Sequence, residues 1–351
     1  MRIWLFAISA LIALMVIVGG ATRLTDSGLS ITEWRPVAGA VPPLNEAAWR
    51  SEFEKYQRIP EYDLVNRGMS LGAFKEIYWW EWGHRFLGRL IGVAFLLPLI
   101  FFAATGRIGR ALGAKLFGLF ALGGAQGALG WFMVQSGLTE RVDVSQYRLA
   151  AHLALALLLL ALTFWMALGL RAPPAGISPI ESGRRRLSLG AFALAAAVYF
   201  QMILGAFVAG LRAGRAINSW PLMNGEIFPS GYFSARPRLA DLFETIPAVQ
   251  FNHRLGAYLV AAGALWFFLA ARKTPAAGAA RLVLIAVLGQ ITLGVATLLA
   301  ASPLWLGLLH QAGALGVLAA ALYAAHRTAN GAAQGASGAR MPMSRPGASS
   351  V

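Results

Sequence analysis

The chain has 351 residues, of which 58% are hydrophobic and only 13% charged, and it carries a formal net charge of +15. That balance excludes a soluble domain and describes a polytopic membrane protein. Without a single cysteine, disulfides, thiolate metal sites, iron–sulfur clusters and c-type haem attachment are excluded as well.

Eight stretches approach the roughly 20 apolar residues that a helix needs to cross a bilayer. They are 3–22, 85–104, 115–134, 149–170, 188–210, 251–271, 281–300 and 304–325. The expected fold class is therefore an all-α polytopic membrane protein of eight transmembrane helices, because an isolated strand would leave its backbone unpaired in lipid. The first span begins at Arg2 like a secretion signal. Its apolar run is longer than a usual signal core and it has a counterpart later in the chain, so it is read as retained. The segment 23–83 is the longest outside the spans. Within it Leu44 to Tyr56 places Trp49, Phe53 and Tyr56 at helical spacing, which predicts a short amphipathic helix lying over the bundle. The segment from about Asn330 to Val351 is rich in Gly, Ala and Ser with scattered Arg, and is expected to be disordered.

The positive charge suggests nucleic acid, but its distribution says otherwise. With both termini cytoplasmic, the inside segments hold Arg2, Arg107, Arg110, Lys115, Arg171, Arg184, Arg185, Arg186, Arg272, Lys273, Arg281, Arg327, Arg340 and Arg345, opposed there only by Glu181. Short loops follow the positive-inside rule, so the basicity reports topology. The Ala/Gly/Arg-rich composition favours a bacterial inner membrane.

The chain is duplicated. Gly19, Gly28 and Trp34 recur at one constant offset as Gly205, Gly214 and Trp220. His84-Arg85 recurs as His253-Arg254, Gln126-x3-Gly130 as Gln290-x3-Gly294, and His152 as His310. Two pseudo-symmetric four-helix halves follow, 1–172 and 187–327, with a cytoplasmic tail over 328–351. Repeated bundles commonly hold ligands within or between them.

Four of the five histidines fall at the starts of apolar helices, two per half. One return helix separates each pair, so the two histidines of a half lie at similar depth and can face across one flat ligand. That is the arrangement of bis-imidazole haem ligation in a helical bundle. The pairs are His84 with His152 and His253 with His310. Gly88 and Gly256, one turn beyond a histidine, would let a macrocycle approach the helix. Arg85, Arg89 and Arg254 suit haem propionates, although arginines at helix ends also snorkel to lipid headgroups. Trp79, Trp80 and Trp82 read as interface-belt residues, and His326, beside Arg327, as a solvated helix end.

The halves differ at one position of chemical weight. Glu81 precedes His84 by one turn, whereas Gln250 precedes His253. A carboxylate beside a porphyrin can take protons or stabilise positive charge, and an amide can do neither. Catalysis is thus expected in the first half, with electron transfer or structural support in the second. The plainer role for Glu81 is an ion pair with Arg85 at i+4.

The run Gly19-Gly20-Ala21-Thr22-Arg23-Leu24-Thr25-Asp26-Ser27-Gly28-Leu29-Ser30 resembles the haem A synthase family. So do Ile31-Thr32-Glu33-Trp34-Arg35-Pro36 and Trp79-Trp80-Glu81-Trp82-Gly83-His84-Arg85-Phe86-Leu87-Gly88-Arg89. The likeness is to the longer, cysteine-free type of mitochondria and proteobacteria, and extends to about residue 327. It implies an eight-helix, pseudo-twofold fold that oxidises a methyl group of haem O to a formyl group, through hydroxylated intermediates, giving haem A for terminal oxidases. It also implies that His84 and His152 bind the haem O substrate, that His253 and His310 ligate a resident haem b, and that Glu81 is the acidic residue beside the substrate. Candidate partners are the haem O-producing prenyltransferase, an electron partner, membrane lipid and a second copy of the chain. Two other classes fit the histidines alone: a dihaem b-type electron-transfer cytochrome and a haem transporter.

Overall fold

The structure, a computed structural model, describes residues 1–138, 142–170, 182–234 and 238–330. The tail beyond 330, expected to be disordered, and residues 171–181 between the two repeats lie outside the described residues, as do Arg340 and Arg345 of the charge argument.

Eight helices are long and apolar enough to cross a membrane. In chain order they are α1 (Arg2–Leu24), then, after two short helices α2 (Glu46–Tyr56) and α3 (Pro60–Leu64), α4 (Leu71–Ala104), α5 (Arg110–Gln135), α6 (Gln146–Gly169) and α7 (Ser182–Gly210). The short α8 (Asp241–Glu244) precedes α9 (Ile246–Ala271), α10 (Ala277–Leu299) and α11 (Leu304–Asn330). Among the described residues the only extended pairing is a single bridge between Met223 and Glu226.

Successive spans alternate direction, so the N-terminal ends of α4, α6, α9 and α11 lie together at the end that carries the long segments. Among the first four spanning helices α1 packs on α4 and α6, and α5 on α6; among the last four α7 packs on α9 and α11, and α10 on both of those. Contacts of α6 with α7 and α11, and of α1 with α11, join the two. Burial follows from this placement. The most apolar window of α7 is 39% buried and that of α5 only 6%, so α5 is the helix that leaves most of its surface to lipid. The core is Leu, Ile, Val, Ala and Phe from all eight, with Leu5, Ile8, Leu116, Leu157, Val283, Phe267 and Leu318 fully buried.

A proline in α4 shows how the helices fit one another. Pro98 has no N–H to give the carbonyl of Ala94, one turn earlier. Trp4 of α1 donates its indole Nε1–H to that oxygen at 2.9 Å and packs its ring on Phe95 and Phe102. The freed acceptor is thus satisfied from a neighbouring helix, as hydrocarbon surroundings demand.

The amphipathic helix expected over Leu44 to Tyr56 is α2. Asn45 caps it by accepting from the Ala48 N–H, and Trp49 and Tyr56 are buried. Together with Leu29, Ile59, Phe74, Tyr78 and Val144 they form a separate apolar cluster that caps one end of the bundle. Phe74 and Tyr78 belong to α4, which begins at Leu71, well before the span expected to start at 85. His84 is therefore embedded in a continuous helix, about 20 Å below its N-terminus at 1.5 Å per residue. The apolar run hid this extension because residues 71–84 mix Lys75, Glu76 and Glu81 with aromatics, a composition suited to a helix clothed by a polar loop.

His326 also departs from expectation. It is buried, its ring meeting Trp165 edge-on at 5.1 Å. It sits inside the packing of α11 against α6 instead of at a solvated end.

Candidate functional site

Each of the four histidines rests against a glycine of a neighbouring helix. A Cβ at Gly19 would lie 3.0 Å from His84 Nε2, and one at Gly130 would lie 2.9 Å from His152 Cε1. In the second repeat a Cβ at Gly205 would lie 3.2 Å from His253 Cε1, and one at Gly294 would lie 2.8 Å from His310 Cε1. Such separations are below ordinary contact, so the imidazoles occupy notches that only glycine leaves open. Gly88 and Gly256 do something else: they make room for Met15 and Gln201 of α1 and α7. The useful glycines were visible as repeats in the sequence, but only packing shows that they face histidine.

Three glutamines steady three of the rings. Gln126 donates Nε2–H to the His152 carbonyl oxygen at 3.0 Å and lies 3.2 Å from Nδ1. Gln290 does the same for His310 at 2.7 and 3.0 Å, and Gln201 for His253 at 2.8 and 3.1 Å. An amide bonded to both the ring and its own backbone carbonyl fixes the rotation of that ring. The recurrence of Gln126 as Gln290 was a legible signal; Gln201 has no glutamine at the matching place in the first repeat, so no repeat marked it.

The rings of His253 and His310 meet edge to face, with centroids 6.5 Å apart. His84 and His152 stand on α4 and α6, both of which pack on α1. Among the described residues no group of three His, Cys, Asp or Glu could enclose a bare metal ion. Pairs of imidazoles are instead the donor set for an iron whose other ligands come from a macrocycle.

The arginines offer a second test of fit. Arg254 donates Nη2–H to Gln250 Oε1 at 2.8 Å, while its Nε and Nη1 are buried without a partner. Arg89 donates to the carbonyls of Pro36 and Arg35, and its Nη1 is buried and unpartnered. Buried guanidinium N–H groups with no acceptor are costly and fit an anion such as a carboxylate. Arg85 is more fully engaged. Its Nε and Nη2 donate to Glu81 Oε1 at 3.0 and 2.6 Å, Nη2 also to the Ile31 carbonyl and Nη1 to that of Glu33.

Glu81 is buried and fully bonded. Its Oε2 accepts from Ser30 Oγ and the Ile31 N–H, each at 2.7 Å, and Oε1 accepts from Arg85. The loop from Leu29 to Pro36 is thereby laid along the face of α4 that carries the histidine. Gln250 holds the corresponding loop in the second repeat, donating to the carbonyls of Ala213 and Ile217 at 2.8 and 3.0 Å. One framework therefore carries a carboxylate in one copy and an amide in the other. Of the three tryptophans expected at the interface, Trp79 and Trp80 are exposed, and Trp82 stacks on Phe86 at 4.9 Å.

Beside the second pair, an open apolar cleft of about 560 Å³ between α6, α10 and α11 reaches in to Gln290 and Gly313.

Comparison with known proteins gives the family. The sequence profile of the cytochrome oxidase assembly protein family matches residues 2–322. A protein of Parvibaculum lavamentivorans named "Heme A synthase" is 51% identical over 93% of this chain and 93% of its own length. Proteins of the same name from a Chelativorans species and from Maricaulis maris are 54% and 49% identical, over 90% and 93% of this chain and 88% and 95% of their own. The chain belongs to the cytochrome oxidase assembly protein family.

Proposed function

We propose that this chain is a haem A synthase of a bacterial inner membrane, an oxidoreductase that converts a methyl group of haem O to the formyl group of haem A. The observation that carries the proposal is the pair of like histidine sites, one with a carboxylate where the other has an amide, in a chain about half identical to proteins of that name. Residues 1–172 form the catalytic half, in which His84 and His152 hold the haem O substrate. Residues 187–327 form the supporting half, in which His253 and His310 hold a resident haem b. Both termini are cytoplasmic, so the histidines lie toward the outer surface. Arg89 and Arg254, with their unpartnered buried nitrogens, bind propionates. Arg85, which has one N–H left after its observed bonds, adds to this through the loop and Glu81 that it holds.

A resident haem b would supply one-electron redox chemistry. What the chain's own residues contribute is position and charge. Every hydrogen bond to Glu81 is donated to it, and together they fix it in place. Paired with Arg85 and held within one turn of His84, this carboxylate is an oriented, charged group that needs no rearrangement to act on the substrate. Gln250, in an equivalent place, provides no such charge.

Glu81→Gln copies the second half into the first. The expected result is a protein with both haems bound and conversion of haem O reduced ~100-fold or more, the scale of losing one preorganised electrostatic group. Normal haem A production by this variant would remove Glu81 from the mechanism.

A further inference from the structure

The two repeats hold their histidines unequally. Met15 stands four residues before Gly19 on α1, and Gln201 stands four residues before Gly205 on α7. Gly19 and Gly205 are the glycines against His84 and His253. The two positions therefore correspond, yet one carries a thioether and the other an amide. Each points at the glycine one turn beyond its histidine. Met15 Cε lies 3.2 Å from where a Cβ of Gly88 would be, and Gln201 Oε1 lies 2.1 Å from where a Cβ of Gly256 would be.

The amide reaches His253, with contacts of 3.1 Å to Nδ1 and 2.8 Å to the carbonyl oxygen. Among the described residues no hydrogen bond to the His84 ring is found. Three of the four imidazoles are thus braced by glutamine and His84 alone is not. A glutamine amide carries both donor and acceptor and can serve Nδ1 in either tautomer, whereas a thioether is at best a weak acceptor. Partners on the far ring nitrogen of a metal-bound histidine fix its orientation and raise its basicity, and losing one costs ~10- to 100-fold in metal affinity.

We propose that the Met15/Gln201 difference sets haem retention. The His84/His152 site releases its haem readily, while the His253/His310 site keeps its haem. This rests on the functional reading above, in which one haem is a substrate that must be exchanged at every turnover and the other stays. Met15 is a positioning residue by omission, since it gives the His84 ring no hydrogen bond.

The test is haem transfer. The full chain, purified in detergent and loaded with haem O and haem b, is mixed with excess apomyoglobin, and transfer is followed through the Soret band and by mass analysis of the haem that moves. The expected result is a fast phase carrying haem O and a slow phase carrying haem b. Met15→Gln slows the fast phase ~10-fold or more, and Gln201→Met accelerates the slow phase by a similar factor. A poorly folded variant cannot imitate the first effect, because damage speeds release. Met15→Leu, equally unable to brace the ring, keeps the fast phase. Two phases that neither exchange moves, or a single phase in the parent protein, would overturn the inference and leave the functional reading standing. A parent protein that binds no haem would overturn both.

Discussion

At the level of single residues, the chain places its ionisable groups where their surroundings decide their behaviour. Glu61 of α3 is buried, and its Oε2 has no hydrogen-bond partner. Burial pushes its pKa up to about 8, with the negative neighbours Asp26, Glu81 and Asp143 adding to the effect. An acid whose pKa is raised on folding favours the folded state below its unfolded value, near 4.5. That contribution is lost as pH rises through the folded value of about 8. Glu61→Gln should therefore flatten the fall in thermal stability between those two pH values, and melt higher than the parent above pH 8. Melting curves in detergent across that range check it; parallel curves for the two proteins would contradict it. Asp241 is the opposite case. The backbone N–H of Arg238 and the hydroxyl and N–H of Ser234 hold its pKa below the usual carboxylate range.

Much of the residue-level site was legible in the sequence because rare residues stand out in an apolar chain. Histidine, glutamine and glutamate recurring in register are visible against alanine and leucine, and they mark His84, His152, His253, His310, Glu81 and Gln126. What was not legible is direction. The spacing alone does not say that Arg85 turns back onto Glu81 and the loop while Arg254 leaves two nitrogens unpartnered. Gln201 was hidden for a related reason: its counterpart is Met15, so the repeat carried no matching amide to draw notice.

At the level of elements, hydropathy finds the spans and then stops where the lipid stops. The eight helices lie where the apolar runs place them, but α4 continues outward from 85 to Leu71 on residues that pack against the cap and not against lipid. The short α3 and α8 carry too few residues for any periodicity to show. The link between Trp4 and the carbonyl freed by Pro98 is likewise invisible until α1 and α4 are side by side. It makes a specific prediction. Trp4→Phe keeps a ring against Phe95 but leaves the Ala94 carbonyl unpaired, and should cost about 1 kcal/mol of stability. In a Pro98→Ala background the helix supplies its own N–H to Ala94, so the same substitution should cost less. Thermal unfolding of the four proteins gives the coupling directly, and equal costs in both backgrounds would contradict it.

For the whole molecule, the two repeats are fastened at both the core and the loop end. Arg23 and Arg212 share Asp26 and Asp143, with contacts of 2.9 to 3.2 Å. These groups are partly exposed, so their contribution is modest and weakened by salt. The tighter fastening is Gln311, next to His310, which donates to the Val16 carbonyl at 2.8 Å and fills the space a side chain at Gly20 would need. Because Gly20 neighbours Gly19 against His84, one short stretch of α1 touches the histidine sites of both repeats. Gly20→Val should push α11 away and disturb the absorption of the haem held by His310, although the substitution lies in the other repeat. A spectrum unchanged in that component would show the repeats to be independent.

The central claim is that one histidine pair holds a substrate haem and the other a resident one. Mass analysis of the pigments extracted from the purified protein, produced in cells that supply haem O, tests it most directly. The expected pigments are haem b together with haem O, its hydroxylated form or haem A. Haem b alone would point to an electron-transfer cytochrome, and no haem at all would contradict the assignment of the four histidines.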